Sequence, residues 1–171
     1  MLPARLITSI FPIGQTLFVA SLGIYVLLIA FNNITDYQTN FLLVQHVMSM
    51  DTIPFKASTH WRSVHSTYLH HAAYIAIILW QASAGAFCVL GAVNLSGCVF
   101  KPNEFRKRIA LAAAGLWLSL GLWLVPFLIV AHEWFLTWQS SQLSGDMSPF
   151  QMFVLTGLAL LLLTTDRAHS A

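Results

Sequence analysis

"IALAAAGLWLSLGLWLVPFLIVA" runs from Ile109 to Ala131 without one Asp, Glu, Lys, Arg or His. At about 1.5 Å per residue, a helix of this length covers the roughly 30 Å hydrocarbon core of a bilayer. Three other stretches share its character: Phe11 to Phe31, Ala72 to Leu95 and Phe150 to Thr165. The last is shorter, and it reaches spanning length if Ser148 and Pro149 open the helix and Asp166 and Arg167 snorkel at its far end. The chain is 57 % hydrophobic and only 8 % charged, a balance foreign to a soluble surface. Over 171 residues these features predict one all-α domain, residues 1–171, folded as a polytopic four-helix transmembrane bundle.

Positive charge sets the expected orientation. With both termini cytoplasmic, the inner side carries Arg5, Lys101, Arg106, Lys107, Arg108 and Arg167, and the outer side only Lys56 and Arg62. The basic run "KPNEFRKR" (101–108) reads as a short turn between helices, so the net charge of +2 is a topology signal and no nucleic-acid partner is expected. The same turn suits lipid headgroups without selecting among them. The first apolar run follows Arg5 as a signal peptide would, but it extends to Phe31 with no small-x-small cleavage site behind it. It is therefore expected to be the first helix. Cys88 lies within the second span and Cys98 at its inner end, so neither is placed for an extracytoplasmic disulfide.

Between the first two spans the segment from Asn32 to about Thr67 is polar, except for "FLLVQHVMSM" (41–50). Ten such residues cannot cross a bilayer, and they predict an extracytoplasmic interfacial helix with Asp36 as its N-cap. Asn33-Ile34-Thr35 matches a glycosylation sequon, a pattern too short to weigh much.

Part of this segment is written twice. "SMDTIPF" (49–55) recurs as "SGDMSPF" (144–150), sharing Ser49 with Ser144, Asp51 with Asp146, Pro54 with Pro149 and Phe55 with Phe150. At a second offset Gly14 falls on Gly115, Leu17 on Leu118, Ala30 on Ala131 and "YQT" (37–39) on "WQS" (138–140). The pattern predicts two parallel helical-hairpin repeats, about 9–95 and about 109–167. In each copy Pro suits the first turn of the returning helix, where its missing N–H loses no bond. Phe then sits at the interface, and Asp either accepts backbone N–H groups or joins its counterpart in binding a partner or cation.

Within the spans, Ala82 with Ala86, Ala110 with Ala114 and Gly115 with Ser119 are spaced for close helix contact, internal or with a partner. Pro126 predicts a kink. Trp134 and Trp138 suit the interfacial belt, whereas Trp117 and Trp123 lie deeper.

The charge-free spans disfavour a self-contained pump or ion-coupled transporter, which needs titratable groups in the membrane. No G-x-S-x-G, Walker-type, C-x-x-C or H-E-x-x-H pattern is present. Histidine is unevenly placed: His46, His60, His65, His70, His71 and His132 fall on outer loops or helix ends, and only His169 is inside. His70, His71 and His132 are therefore candidate cofactor ligands for haem or quinone, and His46, His132 and Glu133 a candidate Cu or Zn set. Against this, the five-residue spacing of His60, His65 and His70 turns successive rings by about 140°, so they share no helix face. The interfacial location alone accounts for amphipathic rings.

"NNITDYQTNFLLVQHVMSMD" (32–51) followed by "WRSVHSTYLHHAAY" (61–74) resembles a bacterial family of small integral membrane proteins built on a domain of unknown function. The resemblance extends over almost the whole chain and implies four spans in a bacterial inner membrane. It brings no activity with it. The function expected first is a non-catalytic accessory or structural subunit without a cofactor, in contact with the bilayer and docked onto other membrane subunits or onto itself, for instance in a respiratory or dehydrogenase complex. The second is a redox or metal module using the outer histidines, and the third a self-assembled transporter or channel lined by Gln81, Ser83 and Ser119.

Overall fold

The computed structural model describes residues 4–54, 58–143 and 148–165, with side chains from residue 10 onward. All regular structure among the described residues is helical. The order is α1 (Ala4–Thr35), α2 (Tyr37–Ser49), α3 (Thr67–Ser96), α4 (Pro102–Lys107), α5 (Ala110–Leu122) and α6 (Ser148–Thr164). The helix of α5 continues as a π-helix over Trp123–Trp134, and short 3₁₀ turns occupy His60–Arg62 and Thr137–Gln139.

Among the described residues three helical stretches are long and apolar enough to cross a membrane: Ile10–Thr35, Thr67–Ser96 and Ala110–Trp134. The apolar α6 has 17 residues and falls below that length. Leu79, Leu90 and Val93 on α3 and Leu161 on α6 point outward, as a lipid-facing surface requires. Helices α1, α3, α5 and α6 pack side by side around Val19, Val26, Cys88, Leu95, Leu116 and Leu163. At one end, here the basic end, Arg106 donates to the Thr165 carbonyl at 3.1 Å and so ties α4 to the end of α6. The opposite end, the loop end, holds α2 and the segments that follow it.

The closest helix approaches rest on glycine. A Cβ on Gly91 would lie 2.5 Å from the Ala112 backbone, and one on Gly23 would lie 2.7 Å from Cys88 Cβ. Gly115 meets the backbone of Phe87 and Cys88, so it is spent on α3 inside the bundle, and Ser119 is buried as well. Ala110 is exposed, while Ala82, Ala86 and Ala114 are half-buried.

Asp36 stands at the expected position before α2, but its carboxylate accepts the Thr39 hydroxyl at 2.9 Å instead of capping backbone N–H groups. After α2 the chain turns at Met50, whose φ of 55° lies in the left-handed region. Met50 is buried there with Ile53, Phe135 and Leu136. Val64 N–H bonds Met48 C=O at 2.8 Å, closing the loop onto α2. Arg62 lies against two tryptophans, its guanidinium carbon 5.5 Å from the Trp61 ring and 4.9 Å from Trp134, and it donates to the Trp134 carbonyl at 3.3 Å. The loop end is thus a packed cap.

The two copies of the sequence motif meet different surroundings. Pro149 is in the first turn of α6, as expected. Pro54 is not at a helix start, because the cap is inserted between it and α3, which begins at Thr67. Phe55, Ser144 and Asp146 lie outside the described residues, as do Asp166, Arg167 and His169. Tyr37, Gln38 and Thr39 open α2, whereas Thr137, Trp138 and Gln139 form a 3₁₀ turn. Gly14 looks into open space, unlike its counterpart Gly115.

Candidate functional site

Pro126 shapes the local backbone of the site. An α register would bring its N–H to the Leu122 carbonyl, but proline has none to give. From Trp123 onward the chain winds with bonds that skip back five residues, as in Phe135 N–H to Val130 C=O at 2.9 Å. This register passes over the missing donor, so the expected kink is realised as a widened π-helix. Such segments recur at functional sites.

The widened segment forms one wall of an open groove of about 890 Å³ at the loop end. Val44 and Val47 of α2, Ile77 and Trp80 of α3 and Phe150 of α6 complete its mostly apolar lining. Trp80 is fixed there by its indole N–H, which donates to Leu118 C=O at 2.9 Å. His132 and Glu133 also line the groove, half-exposed or more, with 3.9 Å between Nε2 and Oε1.

A smaller recess of about 290 Å³ adjoins the groove and shares Leu43, Val44, Ile77, Phe127 and Pro149 with it. Its polar residues come from several helices. Asn33 of α1 donates to Gln81 Oε1 of α3 at 2.8 Å, and Tyr74 O–H donates to the Asn33 carbonyl at 3.1 Å. The Asn33 amide nitrogen, the atom a glycan would take at the sequon, is thus engaged inside the bundle. Trp123 also lines the recess, and its buried indole N–H has no acceptor among the described residues. An unmade bond of this kind costs about 1–3 kcal/mol.

The histidines are dispersed among separate partners. His70 is buried and donates through Nε2 to the Val64 carbonyl at 2.8 Å, anchoring the cap to α3. His71 Nδ1 shares a hydrogen bond with the Tyr37 hydroxyl (2.8 Å), and its ring stacks on Phe41 with 4.0 Å between centroids, anchoring α2 to α3. His46 pairs with Asp51 at 2.8 Å, both side chains half-exposed. His70 and His71 of the cofactor set and His46 of the metal set thus each have a partner of their own, and His132, common to both sets, lies beside Glu133. Among the described residues no group of three or more His, Cys, Asp or Glu side chains is arranged to hold a metal. The physical reason is that cap and α2 packing claims His70 and His71, while Asp51 claims His46.

Gln81, Ser83 and Ser119 do not share a face either. Gln81 and Ser119 are buried, whereas Ser83 is exposed and donates to Leu79 C=O of its own helix at 2.7 Å. The recess itself was signalled only faintly in the sequence: an amide within an apolar span at Gln81, and Trp123 too deep for the interfacial belt.

A family model described as "Predicted small integral membrane protein (DUF2165)" matches residues 12–166. No curated protein and no solved structure matches the chain.

Proposed function

The chain belongs to this family of predicted small integral membrane proteins, and we propose that it is a non-catalytic accessory subunit docked onto a larger complex of a bacterial inner membrane, of the respiratory or dehydrogenase kind. In this proposal four helices cross the membrane as a duplicated pair of hairpins, both termini are cytoplasmic and the cap faces outward. The observation that carries it is the cap. It is built by packing Met50, Ile53, Phe135 and Leu136 and by holding Arg62 against two tryptophans, and it leaves large aromatics on its outer side. Trp61 is 72 % exposed, and Tyr68 and Trp138 are also exposed. Aromatic side chains on a rigid base are what protein interfaces favour.

Photo-crosslinking in native membranes tests this. A photoreactive residue replacing Tyr68 or Trp138 is expected to capture one defined polypeptide, and the same residue replacing the mid-helix Trp117 only lipid. Lipid adducts alone at all three positions would contradict the docking role.

A further inference from the structure

We propose that the recess and groove together form a binding site for an isoprenoid quinone, with the ring in the recess and the tail in the groove. Small-molecule sites usually occupy about 300–1,000 Å³. The recess, at about 290 Å³, accommodates one compact head, and the contiguous groove of about 890 Å³ accommodates a long apolar tail. The shared residues Leu43, Val44, Ile77, Phe127 and Pro149 make the two volumes one path.

The chemistry of the recess narrows the head. Its lining residues include the aromatic Tyr25, Tyr74, Trp123 and Phe127, side chains suited to contact with a planar ring. Among the described residues none that lines it is Asp, Glu, Lys, Arg or His, so a phosphate-bearing headgroup meets no cation among them and a neutral head is favoured. Two residues that line the recess carry hydrogen-bond donors. Trp123, 5 % exposed, has a buried indole N–H with no acceptor among the described residues, and Gln81, 1 % exposed, commits its carbonyl oxygen to Asn33 and keeps its NH₂ out of that bond. A quinone supplies two neutral carbonyl acceptors on a planar ring with an apolar tail. A diacyl lipid has carbonyls too, but it brings a charged head. The recess is lined by none of the outer histidines, while His132 lines the groove, and the site stands independently of the accessory-subunit role, since the isolated chain contains all of it.

The test uses the full-length protein in detergent, delipidated, titrated with a short-tailed benzoquinone and followed by quenching of tryptophan fluorescence. Saturable binding is expected. Trp123→Phe, which keeps the ring and removes the N–H, is expected to weaken it roughly tenfold, the loss of about one hydrogen bond, while Trp117→Phe on the exposed face leaves it unchanged. The wild-type protein alone supplies a second comparison. The hydroquinone dimethyl ether with the same tail, which lacks both carbonyls, should also bind roughly tenfold more weakly. Absence of saturation, equal binding of the dimethyl ether, or phospholipid outcompeting the quinone would each overturn the assignment.

Discussion

Gly115→Val should leave little folded protein. A Cβ at this position would stand 2.7 Å from Cys88 Sγ and 2.8 Å from the Phe87 carbonyl carbon, and closer still to the Cys88 amide nitrogen. Two of those three obstacles are backbone, which cannot rotate aside. Helices α3 and α5 must therefore separate, and the contacts of Cys88, Ala112 and Leu116 in the same interface loosen together. In a bilayer the separation is not offset by a hydrophobic drive toward reclosure, because lipid tails are as apolar as the buried side chains. Overpacking typically costs about 1–3 kcal/mol, and an obstacle made of backbone places this case at the upper end or beyond. Thermal unfolding in detergent, read by circular dichroism and size exclusion, should show a large drop in Tm or aggregation. Gly14→Ala is the matched control, since nothing lies within 4 Å of its added Cβ and an alanine suits a helix interior better than glycine. A Gly115→Val protein as stable as wild type would mean that α3 and α5 do not meet along this face.

The second large effect is expected at the amide pair between α1 and α3. Asn33 is 6 % exposed and bonded to Gln81 at 2.8 Å, so Asn33→Leu strips Gln81 Oε1 of its donor in an apolar interior. Each single replacement by Leu should cost about 1–3 kcal/mol, the penalty of the partner left unpaired. The double replacement removes both polar groups at similar volume and should cost less than the sum of the two. Denaturant unfolding of the four proteins closes the cycle, and additive costs would show that the two amides do not interact.

Much of the scaffold was legible because its signals are local. Runs of apolar residues place α1, α3 and α5, and Asp36 before an apolar decamer marks where α2 starts, though its carboxylate does not cap it. Pro126 announced a disturbance, but the choice between a kink and a π register depends on neighbours that a single helix does not display. The cap was invisible for a similar reason. Arg62 and Trp134 are 72 residues apart, and the left-handed Met50 is buried in one cluster with Phe135 and Leu136, more than 80 residues further along the chain. Small residues showed that close contacts exist without showing which helix meets which, and Gly23, Gly85 and Gly91 were not singled out at all. The clustering of histidine toward one end was equally plain. Their roles were not, because Tyr37 and Val64 decide what His71 and His70 do, and neither lies at a spacing that a ligand motif would display.

The measurement that bears most directly on the accessory-subunit proposal is native mass spectrometry of the protein extracted at natural abundance from its own membranes. An assembly exceeding 19.0 kDa by the mass of at least one different polypeptide, and losing it when Tyr68 and Trp138 are replaced by Ala, is the predicted result. A bare 19.0 kDa chain, or only whole multiples of that mass, would contradict it.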